Sequence, residues 1–375
     1  MRVFHFVLAF ALPSLGAAAP ARPVVAGYVF PQNSTLQPGQ IDARGMTRIY
    51  YAFANIRNGR MVEGFPADAA NIPSVTSLRH ANPALTVLVS VGGWLWSGGF
   101  SDVALTAESR KMFIQSAAEF LNRYDLDGLD VDWEYPGMPG AGHAFRSEDG
   151  KNFTLLLKDL RKRLDAEAKK RHKRLYLTIA AGASDEYLAH TEMAKVARYV
   201  DAVNLMTYDY TLPGADAVSG HNAPLLANPA DPKLVSADAT VRAFEKAGVP
   251  AAKILLGIPF YGKVWGNVAA TDHGLFQPGV SVPGVDAAYS AIAGTMLGQG
   301  FTRYWDEAAR VPYLYSEEKR LFVSYEDPES IAGKCSYVRK NGLGGVMFWN
   351  YFNDPAGELL GAIDRGLGLP AASGK

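Results

Sequence analysis

Short apolar, β-branched runs recur along the chain, separated by stretches in which apolar residues return every three or four positions. The runs at 24–30, 48–56, 85–91, 128–132, 175–180, 202–206, 253–258 and 345–348 predict strands. Met112, Phe113, Ala117, Phe120 and Leu121 form one helical stripe between them, and Phe153, Leu156, Leu157, Leu160 and Leu164 form another. Strands alternating with helices predict a parallel sheet covered on both faces. Eight such strands suffice to close an α/β barrel, the (β/α)8 or TIM barrel. Side chains fill the interior of such a barrel, and chemistry sits at the carboxyl ends of its strands.

The rhythm breaks between Tyr261 and Phe322, a stretch rich in Gly, Pro and aromatics with room for one helix, at 285–293. It is too long for an ordinary loop. A small inserted domain is expected between strands seven and eight, with Tyr304, Trp305, Tyr313, Leu314, Tyr315 and Leu321 as its own core. The barrel would then comprise 20–260 and 323–375. Residues 1–19 open with Arg2 and His5, run apolar from Phe6 to Leu12 and end in Gly16, Ala17, Ala18 and Ala19. That is the layout of a secretory signal. Pro13 and Gly16 leave it short of the ~20 residues that a membrane span needs. An exported protein is expected, extracellular or periplasmic, without integral membrane association. Asn33 and Asn152 each head a glycosylation sequon.

Lys and Arg total 37 and so do Asp and Glu, so no net field draws the chain to nucleic acid or an anionic surface. The single cysteine, Cys335, excludes an intrachain disulfide framework and any multi-cysteine metal site; a packed thiol is expected. No partner subunit is implied, and a monomer is expected.

The most informative segment contains Asp127, Asp130, Asp132 and Glu134. On a strand, Asp130, Asp132 and Glu134 share one face, while Leu129, Val131 and Trp133 share the other. Successive same-face positions lie about 6–7 Å apart. Acids that close cannot all ionise cheaply away from water, so at least one pKa should rise, as a general acid requires. An amphipathic strand with a wet acidic face shows the same alternation. Two observations weigh against it: a strand in a covered parallel sheet has no wet face, and Glu134 stands at the strand's carboxyl end, just before Tyr135-Pro136-Gly137. A calcium loop fails, since Tyr135 falls where the turn needs Gly and Ala141 where a bidentate Glu is needed. The seven histidines lack zinc-protease spacing, and neither a Gly-x-Ser-x-Gly elbow nor a phosphate loop is present. No metal or organic cofactor is implied.

These acids, in the form DxxDxDxE over Asp127 to Glu134, resemble glycoside hydrolase family 18, the chitinases. Further motifs agree in order: Ser90-Val91-Gly92-Gly93-Trp94, Met206-Thr207-Tyr208-Asp209, Pro259-Phe260-Tyr261-Gly262 and Gly345-Val346-Met347-Phe348-Trp349. The resemblance implies a small α+β insertion after the seventh strand and hydrolysis of β-1,4 links in chitin or chitooligosaccharides. It implies that Glu134 donates a proton to the glycosidic oxygen. Asp132 and Tyr208 would hold the substrate's acetamido group, whose carbonyl oxygen attacks the anomeric carbon, and Asp130 would share a proton or hydrogen bond with Asp132. The same scaffold implies two alternatives, cleavage of N-glycans or peptidoglycan and, without cleavage, a chitin-binding lectin. Relatives of the lectin kind usually lack the acid, which Glu134 supplies here.

A neutral polysaccharide offers CH-rich sugar faces, so aromatics should line its cleft. Tyr28, Phe53, Trp94, Tyr135, Tyr261 and Trp349 are candidates, together with Gly92, Gly93, Met206, Asp209 and Lys263 from the motifs. Trp96 is also placed at a strand end, while Phe30 reads better as core. Lys263 stands where many relatives carry Arg, which keeps the cation but loses the planar fork. The direction of Asp209, just past its strand, is left open between the cleft and the surface. The basic run from Lys169 to Arg174 reads as a solvated helix end.

Overall fold

The computed structural model describes residues 22–214 and 218–369; the leader-like residues 1–19 lie outside them. Eight parallel strands form the centre: β1 (Val24–Val29), β2 (Arg48–Arg57), β3 (Thr86–Gly92), β4 (Gly128–Asp132), β5 (Tyr176–Gly182), β6 (Ala202–Met206), β7 (Ile254–Pro259) and β8 (Gly345–Trp349). Each pairs with the next, and β8 returns to β1 with Val346 opposite Val25, so the sheet closes into a (β/α)8 barrel.

Alternation along the strands divides the core in two. Val87, Val89, Leu129, Val131 and Ile179 point outward and meet the helices through Phe113, Phe120, Leu156 and Leu160. Each such side chain, taken out of water, contributes about 1.5–3 kcal/mol. Ala26, Tyr28, Tyr50, Leu88, Leu255 and Met347 take the other parity and fill the barrel. Trp133 is core as its parity predicts, stacked on Phe100 with centroids 5.3 Å apart. The helix Ala107–Arg123 starts at a capping box between Thr106 and Ser109. It buries Phe113, Ala117, Phe120 and Leu121, but Met112 is exposed: one residue along a helix turns about 100°, which carries it off the predicted stripe. Cys335 is a buried free thiol.

Asp127, the first acid of the motif, sits at the opposite end of β4 from the cleft. Its carboxylate accepts the Val87 amide at 2.7 Å and pairs with Arg79 and Lys173. Arg171 and Lys173 also pair with Asp125, so part of the basic run is engaged in a charge network rather than only solvated. β2 overruns the barrel into a hairpin with Arg60–Glu63. Its turn is Asn58-Gly59, both at positive φ, the dipeptide that primed hairpin turns favour; that signal is in the sequence.

Between β7 and β8 the chain builds a separate five-stranded antiparallel sheet, ordered Val280–Ser281, Lys263–Gly266, Leu321–Ser324, Val311–Ser316, Thr302–Asp306. Its helix is Tyr289–Thr295. Trp265, Val268, Leu275, Tyr313, Tyr315 and Phe322 form its outer core, with Tyr304 packed against them. Leu314 and Val323 face the other way into the main core, Leu321 packs against that core too, and Trp305 lies under the Arg303 guanidinium, so Leu314, Leu321 and Trp305 do not join the outer cluster. The sheet is therefore cemented to the barrel through its inner face. Beside it, Lys334 and Glu326 form a fully buried ion pair, and Lys334 Nζ also donates to the Ala223 carbonyl at 2.7 Å. Among the described residues, no helix is long and apolar enough to cross a membrane.

Candidate active site

The inward parity of β4 carries Asp130, Asp132 and, just past the strand end, Glu134. Asp130 lies deepest. Register places Ser90 on β3 and Thr178 on β5 directly beside it. Four donors converge on its carboxylate: Tyr28 Oη at 2.8 Å, Ser90 Oγ at 2.8 Å, Thr178 Oγ1 at 2.6 Å and Asn204 Nδ2 at 3.1 Å. The Asn204 amide is oriented by Tyr50, whose hydroxyl donates to its Oδ1. Burial raises the Asp130 pKa, and the Thr178, Ser90 and Tyr28 donors with the Arg48 charge work against it. Donors aimed at every lone-pair direction favour the ionised form.

Asp132 meets the opposite conditions. It is buried, its Oδ1 has no hydrogen-bond partner among the described residues, and its pKa is driven well up by burial, then by Glu134 and Asp130. The Asp130–Asp132 hydrogen bond that the resemblance implies is absent, because Asp130 is already occupied by the four donors from β1, β3, β5 and β6.

Glu134 is 8% exposed. Its amide donates to Ser97 Oγ at 2.9 Å, and the same hydroxyl bonds the Asp132 and Gly93 carbonyls. Burial raises its pKa to about 7, with Tyr135 working the other way and Asp209 adding to the rise. With Asp132 and Glu134 both shifted upward, the pair keeps at least one proton at neutral pH.

The acids open into a cleft of about 1140 Å³ at the carboxyl ends of the strands. Trp349 stacks on Phe53 with centroids 5.5 Å apart, and Phe30 packs against both. Phe30 lines the cleft, contrary to its core assignment, because it follows β1 on the inward parity. Tyr28 touches the floor, but its hydroxyl is committed to Asp130. Met206 and Tyr208 project inward from the end of β6, and Tyr208 faces Tyr261 edge-on. Trp94 is 50% exposed at the rim and meets Tyr135 edge-on. Gly92 and Gly93 make the rim possible. Both have positive φ, and a Cβ on them would come within 2.2 Å of the Asp132 carbonyl and 2.8 Å of the Phe53 ring, respectively.

Asp209 adopts a left-handed φ of 61°, which turns its carboxylate into the cleft. There it accepts Tyr261 Oη at 2.8 Å and pairs with Lys263 Nζ at 2.8 Å. Lys263 thus serves a carboxylate of the protein itself. Sequence alone placed Ser90 in a motif but assigned it no role, and did not point to Thr178, Asn204 or Ser97, whose roles depend on register, nor to Phe65, Tyr187 and Leu234 on the cleft walls. Among the described residues, no group of three or more His, Cys, Asp or Glu could hold a metal ion.

The sequence profile described as glycosyl hydrolases family 18 matches residues 24–354. Chitinase A1 of Niallia circulans is 44% identical over 302 residues, 76% of this chain and 43% of that protein. This chain therefore spans under half of that relative's length. Chitotriosidase-1 of Mus musculus is 33% identical over 354 residues, covering 89% of this chain and 74% of its own. Among solved structures, a glycoside hydrolase family 18 N-acetylglucosaminidase from Paenibacillus barengoltzii shares 40% identity with a TM-score of 0.84, covering 92% of this chain and 99% of that one. With the motifs, the closed barrel and the acids at its carboxyl end in agreement, the chain belongs to glycosyl hydrolase family 18.

Proposed function

We propose that the cleft hydrolyses β-1,4 links between N-acetylglucosamine units of chitin and chitooligosaccharides, using the substrate's own acetamido group as nucleophile. The observation that carries this reading is the contrast along the inward parity: Asp130 is saturated with donors, while Asp132 offers a buried, unpartnered acceptor beside Glu134, whose pKa burial raises to about 7. An acetamido N–H bonded to Asp132 would satisfy that acceptor and turn its carbonyl oxygen toward the anomeric carbon, with Tyr208 as a second tether.

Glu134 then gives its proton to the glycosidic oxygen as the C1–O bond breaks and the carbonyl oxygen bonds C1. Water opens the cyclic intermediate while Glu134, now a carboxylate, takes the water's proton. Two displacements at C1 give net retention, and the two-carboxylate distance rule does not apply to this mechanism. Names of relatives, chitinase A1 and chitotriosidase-1, support the same substrate class. Residues 1–19 support export of the chain. Glu134→Gln tests the acid role: turnover of chitotetraose should fall by about 10²–10⁴-fold or more while binding by calorimetry is kept. Near-normal turnover would refute the assignment.

A further inference from the structure

Residues 219–225 pass between the barrel, the inserted sheet and the helix Pro328–Lys340. The Ser219 hydroxyl donates to the Gly274 carbonyl and accepts the Gln277 amide. His221 Nε2 meets Asp306 at 2.8 Å, the Ala223 carbonyl receives Lys334, and Leu225 N–H reaches the Ala309 carbonyl at 3.0 Å. Asn222, 1% exposed, is the one member whose side chain turns toward the cleft residues. Its Oδ1 accepts the Asp209 amide at 3.0 Å, its Nδ2 donates to the Tyr261 carbonyl at 3.3 Å, and its own amide donates to Ser324 Oγ at 2.7 Å. A left-handed aspartate is costly without such support.

We propose that Asn222 is a positioning residue of the reaction: it pins Asp209 in its left-handed conformation and so holds the Asp209–Tyr261–Lys263 cluster against the acid. The proposal rests on the acid role of Glu134. Around Glu134 the facing groups are Asp132 and Tyr135 along its own chain segment, Tyr208 and Asp209 after β6, and Tyr261 with Lys263 after β7. Of these, Asp209 is the carboxylate whose direction depends on a backbone held by Asn222. If Asp209 swings away, the repulsion that helps Glu134 keep its proton weakens.

The test compares pH–rate profiles on chitotetraose for Asn222→Ala, Asp209→Asn, the double variant and Ser219→Ala, each with its melting temperature. Asn222→Ala should move the basic limb down by about half a pH unit and cut kcat about tenfold. Asp209→Asn should move the limb in the same direction, and the double variant no further than the larger single shift. Ser219→Ala loosens the same segment away from Asp209, and should lower the melting temperature with the limb unmoved. If Asn222→Ala does not fold, Asn222→Ser, whose shorter side chain leaves the Asp209 amide unpaired, gives the same readout. A basic limb unchanged in the Asn222 variant, or additive shifts in the double variant, would overturn the proposal. Activity surviving in Glu134→Gln would instead overturn the acid assignment on which it rests.

Discussion

Asp130 and Glu134 stand four residues apart on the inward parity, one within β4 and the other just past its end, yet the floor and the lip of this barrel surround them with different partners. On the floor, side chains from β1, β3, β5 and β6 all donate to Asp130. At the lip, the cation at hand, Lys263, is paired with Asp209, and burial with the nearby Asp209 raises the Glu134 pKa. Asp132 lies between, with a donor-saturated carboxyl below and the Glu134 carboxyl above. Burial pushes both carboxyls up; what differs is the supply of donors, which works against that rise at Asp130 from four sides.

The comparison breaks most severely at Asp130. Asp130→Asn replaces an acceptor by an amide that must point one N–H group at the Thr178 hydroxyl, the Asn204 amide or their neighbours. It also removes one of the charges that raise Asp132. Turnover should fall about 10²-fold, and urea unfolding should show a loss of about 1–3 kcal/mol from the unmatched donors. Full activity in that variant would mean that the floor charge has no part in the reaction.

The lip predicts a pH signature in stability. The folded Glu134 pKa of about 7 exceeds the ordinary 4.5, so the folded state holds the extra proton between those values. Its stabilising contribution is complete below about pH 4.5 and is lost as pH rises through 7. Glu134→Gln should remove that loss, gaining about 1–3 kcal/mol relative to the parent at pH 8 and little at pH 4, measured by denaturant unfolding. A parent-to-variant difference that does not change with pH would contradict the shift.

Smaller effects sharpen the contrast. Tyr28→Phe removes one of four donors to Asp130, and the remaining three should keep its carboxyl in place: a loss of about 1 kcal/mol and a several-fold drop in kcat. Trp94→Ala removes a half-exposed ring at the rim, far from the floor. KM for long oligomers should rise several-fold with kcat nearly kept.

Much of the barrel was legible because its signals are local. The alternation from Leu129 to Glu134 assigns the inward acids and the outward Trp133 from six consecutive residues. The donors to Asp130 are not local: Ser90 and Thr178 reach it only through the registers of β3 and β5, and Asn204 from two strands away. Phe30 keeps the inward parity of Tyr28, which its core assignment passed over, whereas Asp209 was left open because its left-handed φ just beyond β6 breaks the alternation. Asn222 and the Lys334–Glu326 pair lie in a loop and a helix that carry no periodic sign of their partners. Asn58-Gly59, by contrast, was a readable turn signal.

The most direct test is proton NMR of the first products from fully acetylated chitotetraose, run beside its fully deacetylated counterpart. Participation of the acetamido group predicts that the acetylated chain is cut with the β anomer appearing first and that the deacetylated chain is left intact. Early α anomer, or efficient cleavage of the deacetylated chain, would contradict it.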